Sequence, residues 1–254
     1  MPERILKTIV SGLLSFVVCV VFFSHGAMAV VGGTADNGPL SRSTVMILTS
    51  NGGVCSAIVL ARDVVLTAGH CAAGATDYRI HYRDTGGEPV LMEPEAKSVH
   101  PEYSAGAEKT RKRSIDLALF KLGQPLPARF APASLSGRQP RKGEHVSIGG
   151  YGLAQTGDSR SSGVFRTAQL EVSEPYGPGK FLVWASGKRT AGACNGDSGG
   201  PLVQNGLVFA VTAWATNSRA APCGDLTQGI FVGPQRGWID RTLSDWSRNA
   251  RWQD

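Results

Sequence analysis

Short apolar runs recur along the chain at roughly ten-residue spacing, rich in β-branched residues and cut by Gly, Pro, Asn or Asp, which is the pattern of strands joined by turns. Such runs fall at 45–50 (VMILTS), 56–60 (SAIVL), 63–68 (DVVLTA), 78–82 (YRIHY), 116–122 (DLALFKL) and 145–152 (HVSIGGYG). They continue at 167–172 (TAQLEV), 181–186 (FLVWAS), 201–216 (PLVQNGLVFAVTAWAT) and 229–233 (GIFVG). Asn205-Gly206 between two apolar runs signals a tight hairpin, and Asn51-Gly52 signals a second. The pattern predicts an all-β sandwich or barrel. Only the tail changes period: from Pro234, the residues Trp238, Ile239, Leu243 and Trp246 repeat at helical spacing, with Pro234 suited to a first turn. The stretch 123–143 is rich in Pro, Gly and Ser and is expected to join two β units of similar size, 30–137 and 138–254.

Composition adds compartment to this picture. The 254 residues are 42% hydrophobic and 18% charged, enough apolar surface for a buried core. Residues 1–29 read as a signal peptide: Arg4 and Lys7 precede a mainly apolar run from Thr8 to Phe23, and Ala27-Met28-Ala29 forms a small-x-small cleavage site. The run is shorter than the roughly 20 residues of a membrane span, so no stable membrane anchor is expected. Beyond Cys19 of the signal, four cysteines remain, Cys55, Cys71, Cys194 and Cys223. An even count in an exported chain suggests two disulfides, while the absence of any CxxC pair argues against zinc. The net charge of +6 comes with no basic helix or interleaved aromatic stripe, so nucleic acid is not an expected partner.

The most informative stretch is CNGDSGGP, 194–201. A serine among glycines can present its hydroxyl and let a substrate approach the backbone. Residues 196–200 also fit GxSxG, the elbow of α/β-hydrolases, but that fold places its histidine after the serine. Here His25, His70, His81, His100 and His145 all precede Ser198. A serine hydroxyl needs a neighbouring base to become a nucleophile. His70 ends the strand-like LTAGHC (66–71), and Asp116 opens DLALF (116–120). The order His70, Asp116, Ser198 on an all-β chain raises all three together.

With these residues the chain resembles the chymotrypsin/trypsin family of serine proteases. The resemblance is carried by VVGG (30–33), LTAGHC (66–71), DLAL (116–119), GYG (150–152), GDSGGP (196–201) and Ala213-Trp214, spread through nearly the whole chain after the signal. It implies two six-stranded antiparallel β-barrels with a C-terminal helix and a site between the barrels. It implies a catalytic triad of His70, Asp116 and Ser198, an oxyanion hole from the N–H groups of Gly196 and Ser198, and disulfides Cys55–Cys71 and Cys194–Cys223. In this family a new N-terminal amine pairs with the aspartate before the nucleophile, here Val30 with Asp197. Because Ala29 is followed directly by VVGG, signal removal alone is expected to free Val30 and activate the enzyme, with no pro-segment.

The resemblance also places a specificity pocket at Gly192, Ala193, Ala213, Trp214, Ala215 and Gly229. Gly192 stands where trypsin-like relatives carry aspartate, so cleavage after apolar residues is expected. Ala213 replaces a serine that supports the triad aspartate in many relatives. The basic stretch 109–113 (KTRKR) is expected to border the cleft as a solvated loop. His81, His100 and His145 are expected to be surface or structural. The expected partners are protein or peptide substrates and protein inhibitors; a monomer without metal or other cofactor is expected. The rival reading is a catalytically silent, protease-like binding protein.

Overall fold

The computed structural model describes residues 30–253, apart from residues 111, 189, 219 and 220. The predicted signal peptide lies outside the described residues, as does residue 111 of the basic stretch. The first sheet runs Pro89–Met92, Tyr78–Arg83, Thr44–Thr49, Val54–Ala61, Val64–Thr67, Ala118–Leu122, Pro94–Val99, with every neighbour antiparallel. Its two edges are consecutive in sequence, separated only by Glu93, so one bent segment joins both ends of the sheet into a barrel. In the second sheet, six strands form a ring. The order is His145–Gly150, Arg166–Ser173, Leu182–Ser186, Ala221–Phe231, Leu207–Ser218 and Pro201–Gln204, which pairs back onto His145–Gly150. Closure leaves neither barrel with a long unpaired edge.

The turn chemistry follows the sequence. Asn205 and Gly206 both take positive φ, 52° and 78°, the requirement of a tight hairpin between Pro201–Gln204 and Leu207–Ser218. The tail forms the helix Arg236–Asp245 behind a turn that starts at Gly233-Pro234, and it buries Trp238, Ile239 and Leu243. The stretch 123–143 is more than a spacer. Leu126, Phe130 and Leu135 are buried in it, and Ser134–Leu135 pairs in parallel with Val208 and with Arg251–Trp252.

Three apolar clusters organise the molecule. One fills the first barrel around Ile47, Ile80 and Phe120, and a second fills the other barrel around Ile148, Leu170 and Phe209. The third lies between them and joins Leu60, Leu66 and Leu117 to Val208, Val211 and Ile230, closed off by Trp238, Ile239 and Leu243 of the helix. This shared core holds the facing ends of the barrels in register, and a site built from both depends on it.

His100 belongs to this junction. It is buried, its ring lies 4.8 Å from Trp238, and its Nδ1 accepts from the Glu102 N–H. Burial holds its pKa below the usual 6.5, with Arg113 and Arg241 pushing the same way and Glu102 and Gln235 opposing. The folded state therefore favours neutral His100; that stability is present above about pH 6.5 and is lost as the pH falls below it. Urea midpoints are expected to drop between about pH 7.5 and 5, and His100→Gln is expected to flatten that drop.

Candidate active site

The first barrel supplies His70 and Asp116. The strand Val64–Thr67 ends in the turn Gly69–Ala72, which carries His70, and the Cys55–Cys71 disulfide ties this turn to the neighbouring strand. Asp116 stands just before the strand Ala118–Leu122. Its two oxygens divide the work: Oδ1 accepts from the His70 backbone N–H at 2.8 Å, and Oδ2 lies 2.7 Å from His70 Nδ1. This grip fixes the ring and leaves the far ring edge, Nε2, turned from the carboxylate.

The second barrel supplies the loop 194–200. Gly199 takes φ +84°, and a Cβ there would lie 2.0 Å from Thr67 Oγ1 and 2.1 Å from the Ser56 carbonyl, so only glycine fits. Gly196 takes φ +100° against Gly152. The loop is pinned to both barrels: Ser56 N–H donates to the Ser198 carbonyl, Ser56 Oγ donates to the Gly196 carbonyl, and Gly199 N–H donates to the Thr212 carbonyl. Among the described residues, neither the Gly196 nor the Ser198 N–H has an acceptor.

Asp197 is completely buried inside this loop. Its Oδ1 accepts from Gly152 N–H at 2.8 Å and its Oδ2 from Cys194 N–H at 2.9 Å. Burial pushes its pKa up to about 7, against the pull of those two amides and of Arg166. Val30 is also fully buried, and Val31 forms a bridge to Gly192, whose N–H donates to the Val31 carbonyl. The segment Val30–Gly33 thus docks against the same loop system as Asp197.

Two hollows meet at Ser198. One, of about 420 Å³, is lined by His70, Asp116, Ser198, Trp214, Ala215 and Cys223. The other, of about 490 Å³, includes Cys55, Leu153, Gly196, His70 and Ser198. An extended chain can lie across both with His70 and Ser198 at its middle. Behind them, the Cys194–Cys223 disulfide closes one wall.

Residues 30–231 of the chain match the family model Trypsin. The chain belongs to the trypsin family. This trypsin-family chain is similar to Kallikrein-8 of Rattus norvegicus, 27% identical over 204 residues, covering 75% of this chain and 77% of that one. It is similar to Thrombin-like enzyme CPI-enzyme 2 of Gloydius ussuriensis, 27% identical over 231 residues, covering 85% and 87% respectively. Neuropsin, a serine protease expressed in the limbic system of mouse brain, shares the fold with a TM-score of 0.70 at 21% identity, over 83% of this chain and 98% of that one. The protein is a serine endopeptidase of this family, and its substrates are proteins.

The remaining sequence-derived residues fall as follows. Gly192, Ala193 and Ala213 are buried, Ala215 is half-buried and Trp214 is 44% exposed at the cleft wall. A Cβ on Gly229 would meet Leu202 and Val183 of the barrel core. Thr227, two residues earlier on the same strand face, touches Gly192 and Ala193 directly: its Oγ1 accepts from Ala193 N–H at 3.0 Å and lies 3.2 Å from where a Gly192 Cβ would be. Sequence reasoning missed Thr227, because a threonine between Leu226 and Gln228 reads as an ordinary strand residue. It also missed Ser56, whose Oγ accepts from Tyr151 N–H while donating to Gly196. Cys55, Cys71 and His70 lie close enough together to suggest metal ligands, but both sulfurs are spent in a disulfide and no thiolate is available.

Proposed function

We propose that Ser198 is the nucleophile of an exported endopeptidase, with His70 as its general base and Asp116 as the group that orients and balances the imidazole. The observation that carries this is the two-point grip of Asp116 on His70, backbone and ring, at the junction of two hollows that share Ser198. Ser198 Oγ attacks the scissile carbonyl carbon while His70 takes its proton. The acyl-enzyme forms as His70 returns that proton to the departing amine, and water then repeats the sequence. The unengaged N–H groups of Gly196 and Ser198 stabilise the oxyanion; one such donor typically contributes about 3–4 kcal/mol to the transition state.

Export through removal of residues 1–29 makes the Val30 amine the natural partner of Asp197. Both groups are buried, and an unpaired buried carboxylate is costly. Enzyme beginning at Ala29 instead of Val30 is expected to lose about 10²-fold or more in kcat/KM, read with a peptide substrate; full activity of the longer form would refute this step. The units 30–137 and 138–254 serve as one peptidase, acting as a monomer on protein substrates and open to protein inhibitors that occupy the same cleft.

The pocket beside Ser198 takes an apolar side chain. Of its expected walls, Ala213, Trp214 and Ala215 line the hollow at Ser198 and carry no charge, nor do Gly192, Ala193 and Thr227, and Gly224 closes on Gly192 so tightly that a Cβ there would lie 3.0 Å from the Gly224 α-carbon. An incoming Arg or Lys would be buried without a counter-ion. On a peptide library, cleavage after small and medium apolar residues is expected to exceed cleavage after Arg or Lys by about 10²-fold; dominant cleavage after basic residues would refute the pocket.

A further inference from the structure

Asp197 has a second charged neighbour besides the amine that cleavage would free. Arg166, at the start of the strand Arg166–Ser173, is only 8% exposed, an unusual position for a guanidinium, and its Nη1 donates to the Val164 carbonyl. It pairs across the sheet with Gly150, and on its other side with Ala35 of the N-terminal segment. Cross-strand partners send their side chains to the same face of a sheet. Gly150 marks where that face leads: a Cβ on it would lie 2.2 Å from Asp197 Oδ1. The Arg166 side chain therefore leaves its strand on the face that carries the Asp197 carboxylate. Burial lowers the Arg166 pKa from its ordinary value and raises that of Asp197, and each charge opposes the shift of the other.

We infer that Arg166 is a permanent internal counter-cation for Asp197, holding part of the Gly196–Ser198 loop in its working arrangement whether or not the Val30 amine is free and protonated. It is a positioning residue, since it acts on the reaction through Asp197. The chain uncleaved at Val30 accordingly keeps a small activity, and that activity persists at alkaline pH, because a guanidinium stays protonated where an α-amine does not. Asp197 accepts from the amides of Gly152 and Cys194 and lies on the sheet face that carries Arg166. Tyr151, between Gly150 and Gly152, has its phenol pushed up to about 12 by burial and donates to the Thr44 carbonyl, so it stays neutral over the working range.

This inference rests on Ser198 being the nucleophile, and the experiment separates the two. Labelling rates of Ser198 by a fluorophosphonate are measured for enzyme beginning at Val30 and for enzyme beginning at Ala29. The Ala29 form is expected to keep about 1% of the rate of the Val30 form, and Arg166→Met to remove about nine-tenths of that remainder. Arg166→Lys is expected to restore the remainder near pH 8 and to lose it again above about pH 10.5, where an ordinary lysine deprotonates, while wild type stays level. Equal rates for Arg166→Met and wild type in the Ala29 form would overturn the inference, as would a level alkaline limb in Arg166→Lys. If Arg166→Met does not fold, the alkaline limb of Arg166→Lys decides alone. Absence of label in the Val30 form would instead remove the nucleophile assignment on which the inference stands.

Discussion

Ser198→Ala is expected to lower kcat by about 10⁶-fold, with KM and the unfolding midpoint close to wild type. The reason for the separation lies in how the loop is held. The Ser198 carbonyl accepts from Ser56 N–H and the adjoining Gly199 N–H donates to Thr212, and alanine keeps both bonds. What is lost is the hydroxyl at the meeting point of the two hollows. His70→Ala is expected to cost a similar factor, and the double variant little more than either alone, because nucleophile and base act as a unit. Steady-state kinetics on a peptide substrate with a matching denaturation curve reads both numbers. A Ser198→Ala enzyme retaining more than about 1% of kcat would show that the chemistry lies elsewhere.

Asp197→Asn carries the next largest expected effect, a fall of about 10²–10³-fold in kcat/KM. Asparagine keeps the shape but not the acceptor set. One side-chain oxygen can still accept from Gly152 N–H or from Cys194 N–H, but the amide NH₂ then faces the other donor. The charge that would pair with the Val30 amine is also gone. Because Gly196 and Ser198 flank Asp197 directly, displacement of its backbone moves both proposed oxyanion donors at once. The fall is expected in kcat more than in KM, since those donors meet charge that develops only in the transition state. Kinetics within threefold of wild type would contradict this placement of Asp197.

Much of the architecture was readable from local pattern. The alternation of apolar runs with turn residues marked most strands, and Asn205-Gly206 marked the hairpin it forms. The strands Pro89–Met92 and Pro94–Val99 were not readable, because two prolines and alternating charges stand where apolar residues would be expected; closing the first barrel overrides local preference there. The buried Leu126, Phe130 and Leu135 were hidden in a stretch whose Pro and Gly content suggested only a connector. For the site, His70, Asp116 and Ser198 could be named because each is a polar side chain set in a short stretch of mostly small or apolar residues, and their order on an all-β chain suits nucleophilic catalysis. Thr227 and Ser56 could not, since their parts are set by backbone groups more than thirty residues away in sequence. Arg166 had no signal either: an arginine at the head of an amphipathic strand reads as solvent-facing until the strand pairing shows Gly150 and Asp197 on the same face.

Ser198, raised to a nucleophile by His70, is the proposed reactive centre of this trypsin-family endopeptidase. Reaction of the enzyme beginning at Val30 with a fluorophosphonate, followed by peptide mass mapping, reads this out. A single adduct on Ser198, abolished in His70→Ala, is the predicted result. No adduct, or an adduct on another serine that persists in His70→Ala, would contradict it.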